Sequence, residues 1–179
     1  MMNQELIDYT HQELLQHKSQ IVADYLHCRQ ASMFFKRYGA EIDRCLGILW
    51  QESFVNRSMC LLATGGYGRQ EMYPHSDLDL AIVCANELSP QDEQDIARFV
   101  QILWDIGLAP AAKIGSAAQL LQAAQEDLTS DTAFLEARFV CGNHKLAHEF
   151  VAGLSLQRDV AGFVEGKLLE QSQRHYKAR

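Results

Sequence analysis

The residues able to do chemistry are concentrated between Leu61 and Val83. The apolar run Met59 to Ala63 reads as a short buried strand and gives way to Thr64-Gly65-Gly66-Tyr67-Gly68-Arg69. Gly65, Gly66 and Gly68 permit positive φ and let backbone N–H groups come close to an anion. A helix starting near Tyr67 or Gly68 would add the field of its N-terminus, and Arg69 a further phosphate donor. Asp77 and Asp79 follow, two residues apart, so in an extended strand both project to one face while Leu78, Leu80 and Ile82 take the other. Carboxylates this close repel each other unless a cation sits between them. Such oxygen ligands suit Mg²⁺, which binds through one or two carboxylates plus substrate phosphates. A pair of such ions would activate an attacking hydroxyl and hold a triphosphate with its leaving group. A glycine turn alone reads equally as a tight turn, and Asp-x-Asp alone as a solvated strand start. Together, each at the end of a buried strand, they have the layout that nucleotidyl transfer needs.

The segment Gly65-Gly66-Tyr67-Gly68-Arg69-Gln70-Glu71-Met72-Tyr73-Pro74-His75-Ser76-Asp77-Leu78-Asp79-Leu80 resembles the nucleotidyltransferase motif of the DNA polymerase β superfamily. More narrowly, it is similar to the bacterial PII-protein uridylyltransferase/uridylyl-removing family. Leu103-Trp104-Asp105-Ile106-Gly107-Leu108, Asp127-Leu128-Thr129 with Thr132 to Arg138, and Glu170-Gln171 with Arg174-His175 resemble flanking segments of that family, so the likeness covers roughly residues 40 to 179. The resemblance implies an α+β, polymerase-β-like fold and transfer of UMP from UTP to a tyrosine of a PII-type nitrogen-signalling protein. It also implies two Mg²⁺ ions on Asp77 and Asp79, and a nucleotide site of Gly65, Gly66, Tyr67, Gly68, Arg69 and Ser76. Ser76 would bind a phosphate or orient Asp77.

The chain also departs from the family. Where the family has a strand close to Val-Gly-His-Ser-Val-Arg, this chain has Ala109-Pro110-Ala111-Ala112-Lys113-Ile114-Gly115-Ser116, without the His, the Arg or any acid. The third carboxylate usual in polymerase-β-like enzymes is therefore unassigned. Asp105 and Asp127 are the nearby candidates, and both also suit helix caps. Lys113 reads as a solvated lysine or a replacement phosphate contact. Two alternatives stay open: an enzyme of the same fold with another nucleotide or acceptor, and a catalytically weakened nucleotide-binding or interaction module. The family's proteins also carry an HD-type hydrolase domain and ACT domains, for which 179 residues leave no room, so a fragment of a larger protein is expected.

The positioning elements follow from periodicity. Residues 3–30 and 31–54 read as helices, the second bent or broken at Gly39. Strands are expected at 59–64, 79–84 and 112–115. A helix runs from Ser89-Pro90 to Asp105 with Ile96, Phe99, Val100, Leu103 and Trp104 inward, and further helices cover 117–126, 130–141, 144–153 and 157–177. The sum is a small mixed sheet with a helical N-terminal segment (1–55), a transferase core (56–142) and C-terminal helices (143–179) packed on the core. Hydrophobic content of 47% and charged content of 22% fit one globular domain. A net charge of −7 argues against nucleic-acid or anionic-membrane partners, and no apolar run reaches transmembrane length. The scattered Cys28, Cys45, Cys60, Cys84 and Cys141 contain no Cys-x-x-Cys pair and imply reduced thiols in a cytoplasm. His75 reads first as an exposed loop residue, and His144 with His148 lacks a third zinc ligand.

Overall fold

The computed structural model describes residues 3–54 and 57–177, the side chains of 174–177 excepted. The expected boundary at 55/56 and the side chains of Arg174 and His175 thus lie outside the described residues. The chain runs α1 (Gln4–Cys28), α2 (Ala31–Ser53), β1 (Met59–Ala63), α3 (Gly65–Gly68), β2 (Leu78–Cys84), α4 (Pro90–Asp105), β3 (Pro110–Ser116), α5 (Ala117–Glu126), α6 (Leu128–Leu135), β4 (Arg138–Gly142), α7 (His144–Gln157) and α8 (Val160–Lys177).

The strands form a sheet in the order β3-β2-β1-β4, antiparallel except for β2 against β3. The fold is therefore α+β around a small mixed sheet, as expected. Strand alternation divides the core in two. Leu61, Ala63, Leu78, Leu80 and Ile82 face α1, α2 and α4, whereas Cys60, Leu62, Ala81 and Val83 face Leu120 of α5, Phe134 of α6 and Phe150 of α7. β1 is buried throughout, which explains why it reads as a continuous apolar run rather than an alternating one.

Caps set the helix bounds. The Asn3 side chain accepts from the Glu5 N–H to start α1. Ser89 and Asp92 form a reciprocal capping box with Pro90 in the first turn of α4, and Ser116 with Gln119 does the same for α5.

Three expectations need correction. Gly39 neither breaks nor ends α2: it is buried within the helix, and packing on both sides carries the helix through. Trp104 is 53% exposed, and Ile102 takes the inward place on α4. Residues 130–141 are not one helix, since α6 stops at Leu135 and β4 begins at Arg138. Leu135-Glu136-Ala137 reads locally as helix, but the exposed edge of β1 recruits Phe139 and Cys141 as ladder partners of Leu62 and Leu61. Gly142, at φ +94, then lies so close to the Met59 carbonyl that a side chain would stand 2.6 Å from it.

Candidate active site

The site is the junction between the end of β1 and the start of β2. The Thr64 N–H donates to the Asp79 carbonyl (3.0 Å), so the antiparallel pairing brings the glycine turn alongside the carboxylates. The turn closes on itself through Gly68 N–H to the Thr64 carbonyl (2.8 Å) and Glu71 N–H to the Gly66 carbonyl (2.9 Å). Gly65 has φ +51, and a Cβ there would stand 2.6 Å from Asp79 Oδ2, so both backbone conformation and space require glycine. Gly66 is different: an added Cβ meets nothing nearer than 3.9 Å, leaving its surface open to a ligand. Gly68 is different again. Its Cβ would stand 2.0 Å from the Glu136 carbonyl oxygen and 3.2 Å from that of Ala63, so this glycine lets two backbone segments touch.

Asp77 is exposed and Asp79 half-buried. Burial raises the Asp79 pKa above the ordinary carboxylate range, and the Asp77 charge adds to the shift. The Gly66 N–H and the Arg69 charge offset this only in part. Two carboxylates lining one cleft, one of them half-buried, form an oxygen donor set that a divalent cation fits. With Gly66, Tyr67, Glu71, Met72, His75 and Ser76, the two carboxylates line a cleft of about 390 Å³.

The remaining residues of the motif sort themselves by contact. Ser76 closes its own loop: its Oγ accepts from the Tyr73 N–H (3.3 Å) and its N–H donates to the Tyr73 carbonyl (3.1 Å). Arg69 pairs with exposed Glu71 (3.1 Å) at the rim. His75 is exposed, with φ +70. The Tyr67 side chain is fully buried, its hydroxyl donating to Asp43 of α2. Arg138 at the start of β4 grips the same Asp43 through two bonds (2.8 and 3.0 Å), with its guanidinium 5.3 Å from the Tyr67 ring centre. Burial and the Asp43 charge push the Tyr67 phenol well above its usual range, so it stays a neutral donor. Tyr67 thus anchors the turn through its side chain, and only its backbone is left to line the cleft.

Sequence reasoning missed Asp43 and Glu71. The signal for Asp43 was an acid beside Ile42 on the inward side of an apolar helix; that for Glu71 was its place inside the segment Gly65 to Leu80, although only folding of the loop brings it to the cleft. Neither candidate third carboxylate lines the cleft. Asp105 is exposed and accepts from Gln101 (2.8 Å), while Asp127 caps α6 through the Thr129 and Ser130 N–H groups. Directly opposite Asp79 on β3 stands Ala111. Lys113 is half-buried and donates to Ser130 (3.0 Å), so it is not the solvated lysine expected. Among the described residues, no cluster of three or more His, Cys, Asp or Glu has the geometry to hold a metal, His144 and His148 included.

The family model described as "Putative nucleotidyltransferase DUF294" matches residues 12–125, across both the glycine turn and the carboxylate pair. The chain belongs to this nucleotidyltransferase family. The chain is 45% identical over 164 residues to the bifunctional uridylyltransferase/uridylyl-removing enzyme of Neisseria gonorrhoeae (strain NCCP11945), covering 92% of this chain and 19% of that one. It is 47% identical over 157 residues to the enzyme of the same name from Neisseria meningitidis serogroup A, covering 88% and 18%. The chain thus spans about a fifth of the length of these relatives. A crystal structure of a toxin–antitoxin with AMP-PNP shows a distant likeness, with TM-score 0.38 and 11% identity over 73% of this chain and 90% of that one. None of the described helices of this nucleotidyltransferase is long and apolar enough to cross a membrane.

Proposed function

We propose that this nucleotidyltransferase carries out Mg²⁺-dependent transfer of UMP from UTP to a tyrosine hydroxyl of a PII-type signalling protein, in the cytoplasm. The observation that carries the reading is the Asp77/Asp79 pair lining one cleft with the open face of Gly66. The names of its relatives supply the uridylyl group. Asp77 and Asp79 would hold the metal, whose chemistry would be to neutralise the triphosphate and polarise the α-phosphorus. Gly66 would give the phosphates room and Gly65 lets the turn pack against Asp79; Ser76, in the cleft lining, and Arg69, held beside Glu71, would bind or orient the phosphates, and Tyr67 and Gly68 hold the turn in place. The acceptor oxygen forms a bond to the α-phosphorus as the bond to pyrophosphate breaks. Pyrophosphate leaves with that electron pair, and the hydroxyl proton passes to water. Positioning and charge neutralisation carry the catalysis. In this reading residues 1–55 buttress the site, 56–142 form the transferase core and 143–179 brace its far side.

Ala111 opposite Asp79 favours a second reading, a site that binds nucleotide without turnover. Calorimetric titration of UTP, ATP, GTP and CTP with Mg²⁺, on wild type and Asp77→Ala/Asp79→Ala, followed by incubation with PII and mass measurement, separates the two. Selective UTP binding that the double variant loses, with PII gaining one UMP, supports transfer. Binding without modification favours the second reading, and another preferred nucleotide redirects the substrate assignment.

A further inference from the structure

A second cavity, of about 690 Å³, opens beside the carboxylate cleft and shares Met72, His75 and Ser76 with it. One wall is α1, through Leu15, Lys18, Val22 and Leu26; the other is the Pro74 loop and the turn Gly107-Leu108-Ala109 leading into β3. Its lining is mainly apolar. Leu15 and Leu26 are 53% and 57% exposed, a large amount of apolar surface to leave in water on one helix face.

The charge in this groove stands out against the rest of the chain. In a protein of net charge −7, its lining contains Lys18 and no carboxylate. Lys18 is half-buried, with its ammonium 5.5 Å from the centre of the Tyr38 ring, and among the described residues no carboxylate pairs with it. Burial lowers its pKa, as expected of a cation without an anion beside it.

Topology gives the groove its direction. In the sheet order β3-β2-β1-β4, the turn at α3 follows β1 and touches the carbonyl that precedes β4. The groove lies towards β3, at Leu78 of β2 and Ala109 before β3, and none of the turn residues 64–69 lines it. His75 and Ser76 line both cavities, so the groove opens onto the carboxylate cleft from the β3 side, away from the turn. In phosphoryl transfer the attacking and leaving oxygens stand roughly in line, so a nucleotide held at the turn must be attacked from the opposite side.

We propose that this groove receives the acceptor protein: an apolar loop that presents its hydroxyl past His75 and Ser76 to the carboxylates, with an acidic residue of that loop pairing with Lys18. The proposal rests on the transfer reading above and adds where the acceptor docks and what chemistry selects it.

The test measures transfer to PII in steady state by Lys18→Glu and Leu26→Glu, with the nucleotide Kd by calorimetry and the Tm of each variant. Gln16→Glu, exposed and outside the groove, is the control. The expected result is a KM for PII raised about tenfold or more in both variants, with kcat and the UTP Kd within about twofold of wild type. An unchanged KM for PII overturns the docking proposal. Loss of UTP affinity instead overturns it in favour of a nucleobase in the groove. Wild type that binds UTP but modifies no PII removes the transfer reading itself, before any groove variant is measured. Leu26 is exposed, so Leu26→Glu keeps the test valid even if Lys18→Glu folds poorly.

Discussion

In the proposed function Gly68 packs the turn and Gly66 faces the nucleotide, and a single methyl group at each position distinguishes the two roles. In Gly68→Ala, the new Cβ would lie 2.0 Å from the Glu136 carbonyl oxygen and 3.0 Å from its carbon. Non-bonded heavy atoms settle near 3.5 Å, so the two backbone segments must part by about 1.5 Å. Both are pinned, one by the turn and the other by the pairing of β4 with β1, so the overpacking cost falls at the upper end of the usual range, about 3 kcal/mol. Gly68 has no positive φ and sits in a helical turn, so alanine regains about 1 kcal/mol of propensity. The net loss of about 2 kcal/mol corresponds to a Tm lower by about 4–8 °C in a chain of this length. In Gly66→Ala the methyl meets no atom within 3.9 Å, so the Tm holds or rises by a few degrees. That methyl occupies the face left for phosphate, and the nucleotide Kd rises about tenfold or more. Thermal melts with calorimetry on both variants test the assignment. A Gly68→Ala protein that melts with wild type while losing nucleotide, or a Gly66→Ala protein that binds normally, refutes the reasoning.

Three further outcomes are expected. The Asp79 pKa is raised in the fold, so its contribution to stability is present below the unfolded carboxylate pKa and lost as pH rises through the folded one. Asp79→Asn therefore raises the Tm of metal-free protein at pH 7, with the gain vanishing in acid, while Mg²⁺-nucleotide binding disappears; a lower Tm at pH 7 would show that the carboxylate is compensated after all. Tyr67→Phe removes the hydroxyl bond to Asp43, whose side chain is about a quarter exposed, and should cost about 1–2 kcal/mol with little change in nucleotide Kd below the melt. A large Kd change with unaltered stability would instead place the phenol in the ligand site. Burial pushes the thiols of Cys45, Cys60 and Cys141 up to about 12 and that of Cys84 to about 11, whereas Cys28 is exposed. Iodoacetamide at pH 8 should thus label Cys28 alone until denaturant is added, and rapid labelling of a second cysteine in native protein would contradict the described burial.

The local readings that succeeded share one property: they depend on residues close in sequence. The helix start at Ser89-Pro90, the buried run of β1 and the same-face placement of Asp77 and Asp79 are consequences of neighbours within a few positions. The readings that failed depended on partners far along the chain. β4 looked helical because its only reason to be extended is the free edge of β1, some 80 residues earlier. Gly39 looked like a breaker because nothing local shows that α2 is packed against α1 on one side and the sheet on the other.

At the site the same division holds. The sequence by itself determined the chemistry: two carboxylates one pleat apart, a glycine turn before them and buried strands to hold both, because alternation and glycine's permissiveness are local properties. Only the tertiary structure decided what each motif residue does. It buried Tyr67 on Asp43 and Arg138, which lie 24 residues before it and 71 after it. It set Gly68 against the Glu136 carbonyl and left Gly66 facing open space in the cleft, moved Asp105 and Asp127 away from that cleft, and placed Ala111 opposite Asp79. Those roles follow from strand order and helix packing, which sum many weak contacts across the whole chain and leave no mark at the residues they position.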